Sequence, residues 1–276
     1  MLKKTERERV WFDRWIQEGY SVRQLCLQSK HRTTKLYDII SYWLQQLPVN
    51  TKNLSGHEHI IFDGSFLKKR IGIVVAMDGT SYTVIDGQYG IKENSIPQLK
   101  TFFEPLIIRG LYPKSATVDG NPQVIRVMRS LWPEIKIQRC LVHIQRQGLM
   151  WCRHRPKRTD ARHLRKILLK VTYIKTKKER DNFLSAVEAW EHRYGSSLAS
   201  APERGRVFSD IKRARSMIIN AIPDMFHYLD DLNIPSTTNG LEGYFSRLKM
   251  KYRQHRGLTK QKRSAYFKWY FHLCKR

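Results

Sequence analysis

Cysteine, acidic side chains and long apolar runs are what this sequence has little of. Its four cysteines (Cys26, Cys140, Cys152 and Cys274) are too few to staple 276 residues into a disulfide framework, and a reducing compartment fits them. No stretch is long and apolar enough to cross a bilayer, and the opening Met-Leu-Lys-Lys-Thr-Glu-Arg-Glu-Arg carries no apolar signal core. The chain is therefore expected to work where it is made, in the cytoplasm. Internal repeats and low-complexity tracts are missing too. Acidic side chains number 24 against 51 Lys and Arg, a formal net charge of +27. Such a field attracts polyanions over long range, and DNA is the commonest large one. A basic surface that is merely well solvated is the plainer reading. With basic residues spread over nearly the whole chain, nucleic acid is favoured.

The first fifty residues read as three short helices. Trp11 and Trp15 lie one helical turn apart, and Gly19 ends that segment. Ser21 is placed to cap a second helix carrying Val22, Leu25 and Cys26. Thr33 or Thr34 is placed to cap a third, on which Leu36, Ile39, Ile40, Trp43, Leu44 and Leu47 form one apolar face before Pro48. A tight connection between two short helices suits a helix-turn-helix over residues 1–49, with Arg32, Thr33, Lys35, Tyr37 and Asp38 offered to a DNA groove. Three helices packed for structure alone would leave the same pattern. Residues 50–58 read as a linker.

From residue 59 the texture changes. Ile60-Ile61-Phe62-Asp63 is a short apolar run ending at a carboxylate. Residues 71–77 and 82–85 read as two strands joined through Asp78-Gly79, a hairpin signal. A helix is expected over 94–108, with Ile96, Leu99, Phe103 and Leu106 on one side. A strand over 115–119 again ends at an acid, Pro122 opens a helix, and residues 135–141 give a fifth strand. Three strands, then helix, strand, helix, strand, implies an α/β fold: a mixed sheet with helices on its faces, in an order similar to the RNase H-like core. Residues from about 145 to 234 hold no convincing strand and read as an all-helical insertion. Its helices are marked by Leu164, Ile167, Leu168 and Val171, by Phe183, Val187, Trp190 and Tyr194, and by Val207, Phe208, Ile211, Ile218 and Ile222. A further helix follows Ser236-Thr237-Thr238. The stretch 249–276 interleaves Arg253, Arg256, Lys260, Lys262, Arg263 and Lys268 with Tyr266, Trp269 and Phe271. Its aromatic residues are expected to dock on the sheet domain and its cations to face phosphate.

An acid that ends an apolar strand is costly if buried alone, and a shared divalent cation is the simplest compensation for two of them. Asp63 and Asp119 are such acids on strands expected to be neighbours. Taken singly, each also reads as a turn residue, because Asp-Gly recurs at 63–64, 78–79, 86–87 and 119–120. The pattern alone does not choose among them.

A resemblance does choose. Val118-Asp119-Gly120-Asn121-Pro122, Trp132-Pro133 and Gln138-Arg139-Cys140-Leu141-Val142-His143 are similar to the signature of Mutator-type (MULE-like) DDE transposases, which include many bacterial insertion-sequence enzymes. Asp63-Gly64-Ser65-Phe66 and Ser236-Thr237-Thr238-Asn239-Gly240-Leu241-Glu242-Gly243 resemble the segments carrying that family's first and third acids. The likeness spans roughly residues 58 to 270. It implies an RNase H-like domain over 59–276 that cleaves element ends and joins them to target DNA. It also implies Asp63, Asp119 and Glu242 as catalytic acids holding two Mg²⁺ (or Mn²⁺) ions, and Cys140 and His143 as a Cys-x-x-His pair. Double-stranded DNA is then the partner, with a homo-oligomer assembling on it at the bacterial nucleoid. Trp190 is a candidate for stacking a displaced base, although its apolar stripe also reads as core. Cys140, His143, Cys152 and His154 are ligand types that zinc also takes, with a spacing too tight at the second pair. The rival readings are a decayed or repurposed helix-turn-helix DNA-binding protein without catalysis, and an RNase H-like nuclease acting on RNA or branched DNA.

Overall fold

The computed structural model describes residues 4–68, 71–200, 205–255 and 257–276, with the backbone alone for 68, 200 and 205–209. Helix α1 (Lys4–Gln17) ends where Gly19 turns the chain at φ +71°, a left-handed conformation that costs glycine little. Ser21 then caps α2 (Val22–Ser29): its hydroxyl accepts from the Gln24 amide while the Gln24 side chain accepts from the Ser21 amide. Helix α3 (Thr33–Gln45) differs slightly from expectation. Arg32 is its N-cap with no side-chain bond, because the Thr33 hydroxyl lies against Cys26 Sγ at 3.4 Å. Leu36, Ile39, Ile40 and Leu44 are buried on its inner face, whereas Leu47 lies past the helix end and is exposed.

Five strands form one sheet among the described residues: β1 (His59–Lys68), β2 (Ile71–Asp78), β3 (Val84–Tyr89), β4 (Ser115–Val118) and β5 (Lys136–Arg139). Their order is β3-β2-β1-β4-β5. The first three are antiparallel, and β4 and β5 run parallel to β1. This is an α/β fold with an open mixed sheet. Two strands are longer than their apolar runs suggest. β1 continues past Asp63 because β2 pairs with it throughout, Asp63 opposite Val75 and Gly64 opposite Val74. Asp63 is therefore mid-strand, not terminal. β3 reaches Tyr89 because β2 pairs along it as well.

Alternate side chains of the strands serve opposite faces. On one face Ile60, Phe62, Val74, Ala76 and Val118 pack with α4 (Ile96–Ile108) and α5 (Pro122–Leu131). A separate helical core follows, built by α6 (Leu141–Cys152), α7 (Thr159–Leu168), α8 (Lys177–Ser200) and α9 (Gly205–Ala221). It starts at Leu141, directly after β5, because Leu141 is already buried among its residues. Of Val207 and Phe208 only the backbone is described.

The other face carries Ile61, Ile73, Val75, Met77 and Val84 and is covered by α10 (Asn239–Tyr252) and α11 (Lys260–Leu273). The aromatic residues of α11 are buried as expected, Tyr266, Trp269 and Phe271 among them. They are buried from two sides. Tyr89 stacks on Phe267 from the sheet with centroids 4.9 Å apart, while Phe12 meets Trp269 at 5.1 Å from α1. The Trp269 indole donates to the Trp43 carbonyl at 2.8 Å, and Arg9 lies over both indoles at 4.9 Å. Residues 4–45 thus share one hydrophobic core with α10 and α11, and no break in that core falls at residue 49. No helix among the described residues is long and apolar enough to cross a membrane.

Phe12 is fully buried at this junction. Phe12→Ala should cost about 3–5 kcal/mol, typical of a phenylalanine deleted from a core. Urea unfolding followed by both tryptophan fluorescence and circular dichroism should show one transition shifted for the whole protein. A separate early transition confined to the first three helices would contradict the shared core.

Candidate active site

β4 delivers Asp119 to the carboxyl end of a parallel strand, and the residues after it hold it there. Gly120 turns the chain at φ +101°, with the Arg139 guanidinium lying where a side chain would otherwise stand. Asn121 caps α5 by accepting from the Gln123 amide at 3.0 Å, and its own amide donates to Asp119 Oδ1 at 2.8 Å. Asp63 lies on the face of β1 that looks toward α10. β4 pairs with β1 only through Ile61, so the two acids meet where β4 has ended. Only 8% of Asp63 is exposed, and burial pushes its carboxyl up to about 6. Asp119 adds to that rise, while His143, the Gly64 amide and the Thr238 hydroxyl oppose it.

The four Asp-Gly acids now separate. Asp78 accepts from the amides of Thr80 and Ser81 and pairs with His57 Nδ1 at 2.7 Å, which makes it a turn residue. Asp86 pairs with Arg109 at 2.7 Å. Among the described residues neither Asp63 nor Asp119 makes an ion pair.

Thr238, the fully buried N-cap of α10, ties three segments together. Its amide donates to Cys140 Sγ at 3.3 Å, and its hydroxyl lies 3.6 Å from the same sulfur, 3.3 Å from His143 Nδ1 and near enough to Asp63 to hold its pKa down. The preceding connection is stitched down as well, with Thr117 Oγ1 donating to the Pro235 carbonyl at 2.6 Å and the Leu141 amide to that of Ser236 at 3.0 Å. Cys140 is the N-cap of α6 and His143 lies on its first turn, so the Cys-x-x-His spacing aims the imidazole at the acids. His143 is pushed up to about 9, above all by its hydrogen bond with Cys140, then by the charges of Cys140, Asp63 and Asp119, against burial. Burial opposes ionisation of Cys140, but hydrogen bonds with His143 and Thr238 outweigh it and lower the thiol's pKa.

Glu242 lies one turn beyond Thr238, on the stripe of α10 that also carries Phe245 and Lys249. Lys249 Nζ donates to Ser65 Oγ, which fixes this stripe toward β1. Its carboxylate, however, pairs with Arg146 of α6 at 3.0 Å. Among the described residues no three His, Cys, Asp or Glu side chains surround a common centre, so Glu242 does not complete a cage with Asp63 and Asp119.

A different acid interacts electrostatically with the pair. Glu93, from the β3–α4 connection, lies over Gly64 where any Cβ would collide with it. Burial pushes it up to about 8, and the charges of Asp119 and then Asp63 add to the effect. Sequence reading missed it because Lys92-Glu93-Asn94 lies on no apolar strand and in no motif. The one trace was a glycine beside Asp63. Carboxylate oxygens are the donor type a hard divalent cation takes, but Glu93 no more completes a three-ligand cage with Asp63 and Asp119 than Glu242 does.

Zinc does not fit. Cys152 is buried in the helical core, which pushes its thiol up to about 12, and His154 is exposed. Two DNA-binding assignments are corrected. Trp190 is 3% exposed and its indole donates to the Asp160 carbonyl at 2.9 Å, so it is core and unable to stack a base. Arg263 is turned inward, donating to Tyr89 Oη at 3.2 Å and to the Leu258 carbonyl at 3.0 Å. Lys35 pairs with Glu8 at 2.9 Å. Arg32, Thr33, Tyr37, Arg253, Lys260 and Lys262 are exposed, and Arg256 lies outside the described residues.

Asp63, Glu93 and His143 all hold protons more tightly in the folded chain than in the unfolded one. Their contribution to stability is therefore complete at low pH and lost as pH rises through about 6, 8 and 9. In chelator, the melting temperature should fall as pH rises from 5 to 9, and Glu93→Gln should flatten the part between 5 and 8. A wild-type curve rising over that range would refute this crowding. No family model matches the chain, and no curated protein matches it either.

Proposed function

We propose that this chain is a Mutator-type DDE transposase whose RNase H-like sheet cleaves and rejoins DNA by phosphoryl transfer. The observation that carries this reading is the meeting of buried Asp63 with partly exposed Asp119, both without ion pairs among the described residues, at the carboxyl end of β4. Ligand sites in parallel sheets gather at such ends. The strand order β3-β2-β1-β4-β5, antiparallel in its first three members, supports the RNase H-like assignment. The packing of α10 on β1 supports a third acid coming from that helix.

Asp63, Asp119 and Glu242 would hold the divalent cations. When bound, Mg²⁺ or Mn²⁺ would supply charge to activate an attacking hydroxyl and to stabilise the leaving oxygen. The remaining tasks fall to the chain itself. His143, held cationic by Cys140 and the acids, offers positive charge where a phosphodiester must approach two carboxylates. Lys249 holds α10 against β1, and Thr238 ties the head of α10 to the β5–α6 junction. Arg146 is well exposed beside Glu242 and is placed to take a phosphate oxygen. Doing so would leave Glu242 without its counter-ion and free to turn toward β1.

Double-stranded DNA is the proposed substrate, bound by a homo-oligomer. The exposed start of α3, with Arg32, Thr33 and Tyr37, would serve as the groove-reading end of a helix-turn-helix. Arg253, Lys260 and Lys262 would add phosphate contacts. One observation favours the rival reading, a DNA-binding protein without catalysis: the ion pair that holds Glu242 to Arg146.

Asp63→Asn and Asp119→Asn should each abolish Mn²⁺-dependent nicking of duplexes carrying the DNA that flanks the gene, with duplex binding retained. Wild-type protein that binds but never nicks would favour the rival. Arg32→Ala and Lys260→Ala should each lower the slope of log affinity against log salt by about 0.9, the yield of one phosphate contact. An unchanged slope would remove those residues from the interface.

A further inference from the structure

We propose that Arg139 is a phosphate-binding residue, taking a non-bridging oxygen of a nucleic-acid backbone beside the turn that follows Asp119. This rests on the DNA-directed reading above and adds a contact that the acids of that reading do not supply.

Arg139 is the last residue of β5, and Cys140, the N-cap of α6, follows it. β5 pairs in parallel with β4, Arg139 opposite Val118, so the arginine stands next to the strand end that carries Asp119. Its Nε, Cζ and Nη2 atoms lie against Gly120, where a Cβ would collide with all three. The guanidinium is thus seated on the Gly120 backbone and oriented before any ligand arrives. The amino-terminal ends of α5 and α6 begin on either side of it, and their dipoles favour an anion there over a second cation.

That seat provides no hydrogen bond. Arg139 Nε is buried without a partner, and among the described residues the rest of its guanidinium makes no hydrogen bond and no ion pair. Arg109 and Arg263 also bury one unpartnered nitrogen, but their other nitrogens hold them. Arg109 donates to Asp86 and the Lys52 carbonyl, Arg263 to Tyr89 and the Leu258 carbonyl. The acids whose charge reaches Arg139 are Asp119 and Asp224. Both lie beyond ion-pair distance, and Asp224 is committed to Arg129 at 2.9 Å. A guanidinium largely out of water without a counter-ion is unfavourable by itself, and an anion from solution relieves that cost. Arg139 remains partly exposed, and its terminal nitrogens, which no protein group claims, are the planar donors that phosphate accepts. The net charge of +27 gathers polyanions, which favours a nucleic-acid backbone over a small free anion.

The test combines thermal melting of the full chain with its affinity for a short mixed-sequence DNA duplex over a range of salt. Arg139→Gln should melt no lower than wild type, because it removes an uncompensated charge from the fold. The same variant should bind the duplex about tenfold more weakly at low salt, with the slope of log affinity against log salt lowered by about 0.9, the yield of one phosphate contact. A residue that serves the fold alone would give the opposite pair of results. Melting well below wild type, or loss of cooperative melting, would therefore overturn the inference, and so would an unchanged slope in a folded variant. Neither outcome touches the transposase reading, which stands or falls on Mn²⁺-dependent nicking by wild type. A lowered slope in Arg139→Gln with no nicking by wild type would keep the phosphate contact and sink the transposase. No duplex binding by wild type would sink both.

Discussion

The contact on which the candidate centre depends is the buried threonine at the head of α10. Thr238 joins α10 to the β5–α6 junction by hydrogen bonds and lies beside a carboxylate of the central strand, so three distant segments meet at one residue. Without it, Cys140 Sγ would lose its donors and His143 would lose the hydroxyl beside its ring. The cysteine takes part as a sulfur acceptor for the Thr238 amide, which explains its buried position better than ligation would.

Around this contact the charges are deliberately unbalanced. The chain as a whole is strongly cationic, yet its sheet edge gathers Asp63, Asp119 and Glu93 with one imidazole among them. Cations elsewhere on the surface attract a polyanion, whereas the crowded acids would repel it. The two tendencies are reconciled if metal ions mediate between carboxylate and phosphate. The folded chain is left under electrostatic strain at the place where its chemistry is proposed.

Much of the sheet was legible beforehand, and the exceptions have physical causes. The end of β4 was marked by four buried residues followed by Asp-Gly-Asn-Pro, where each residue has a distinct turn or capping duty. Ser21 and Gln24 announced a reciprocal cap. The full length of β1 has no local signature, because Gly64 and Ser65 interrupt its apolar run and cross-strand pairing with β2 cannot be seen from local composition. Glu93 was invisible for the same reason: its place follows from close backbone crossings at Gly64 and Gly72, which only the assembled sheet creates. Trp190 was marked as core by its spacing with Phe183 and Val187, and burial agrees. The rotamer of Glu242 and the docking of the first three helices on α11 are tertiary facts with no local signature.

That docking has a consequence for biosynthesis. Trp43 receives its hydrogen bond from Trp269, 226 residues later, and Trp15 supplies the carbonyl for His255, 240 residues later. Helices α1, α2 and α3 must wait, apolar faces uncovered, until α11 has been translated. Contacts of such separation slow the search for the native state and lengthen exposure to aggregation. Production of this protein in cells should depend on holdase chaperones that shelter those early helices.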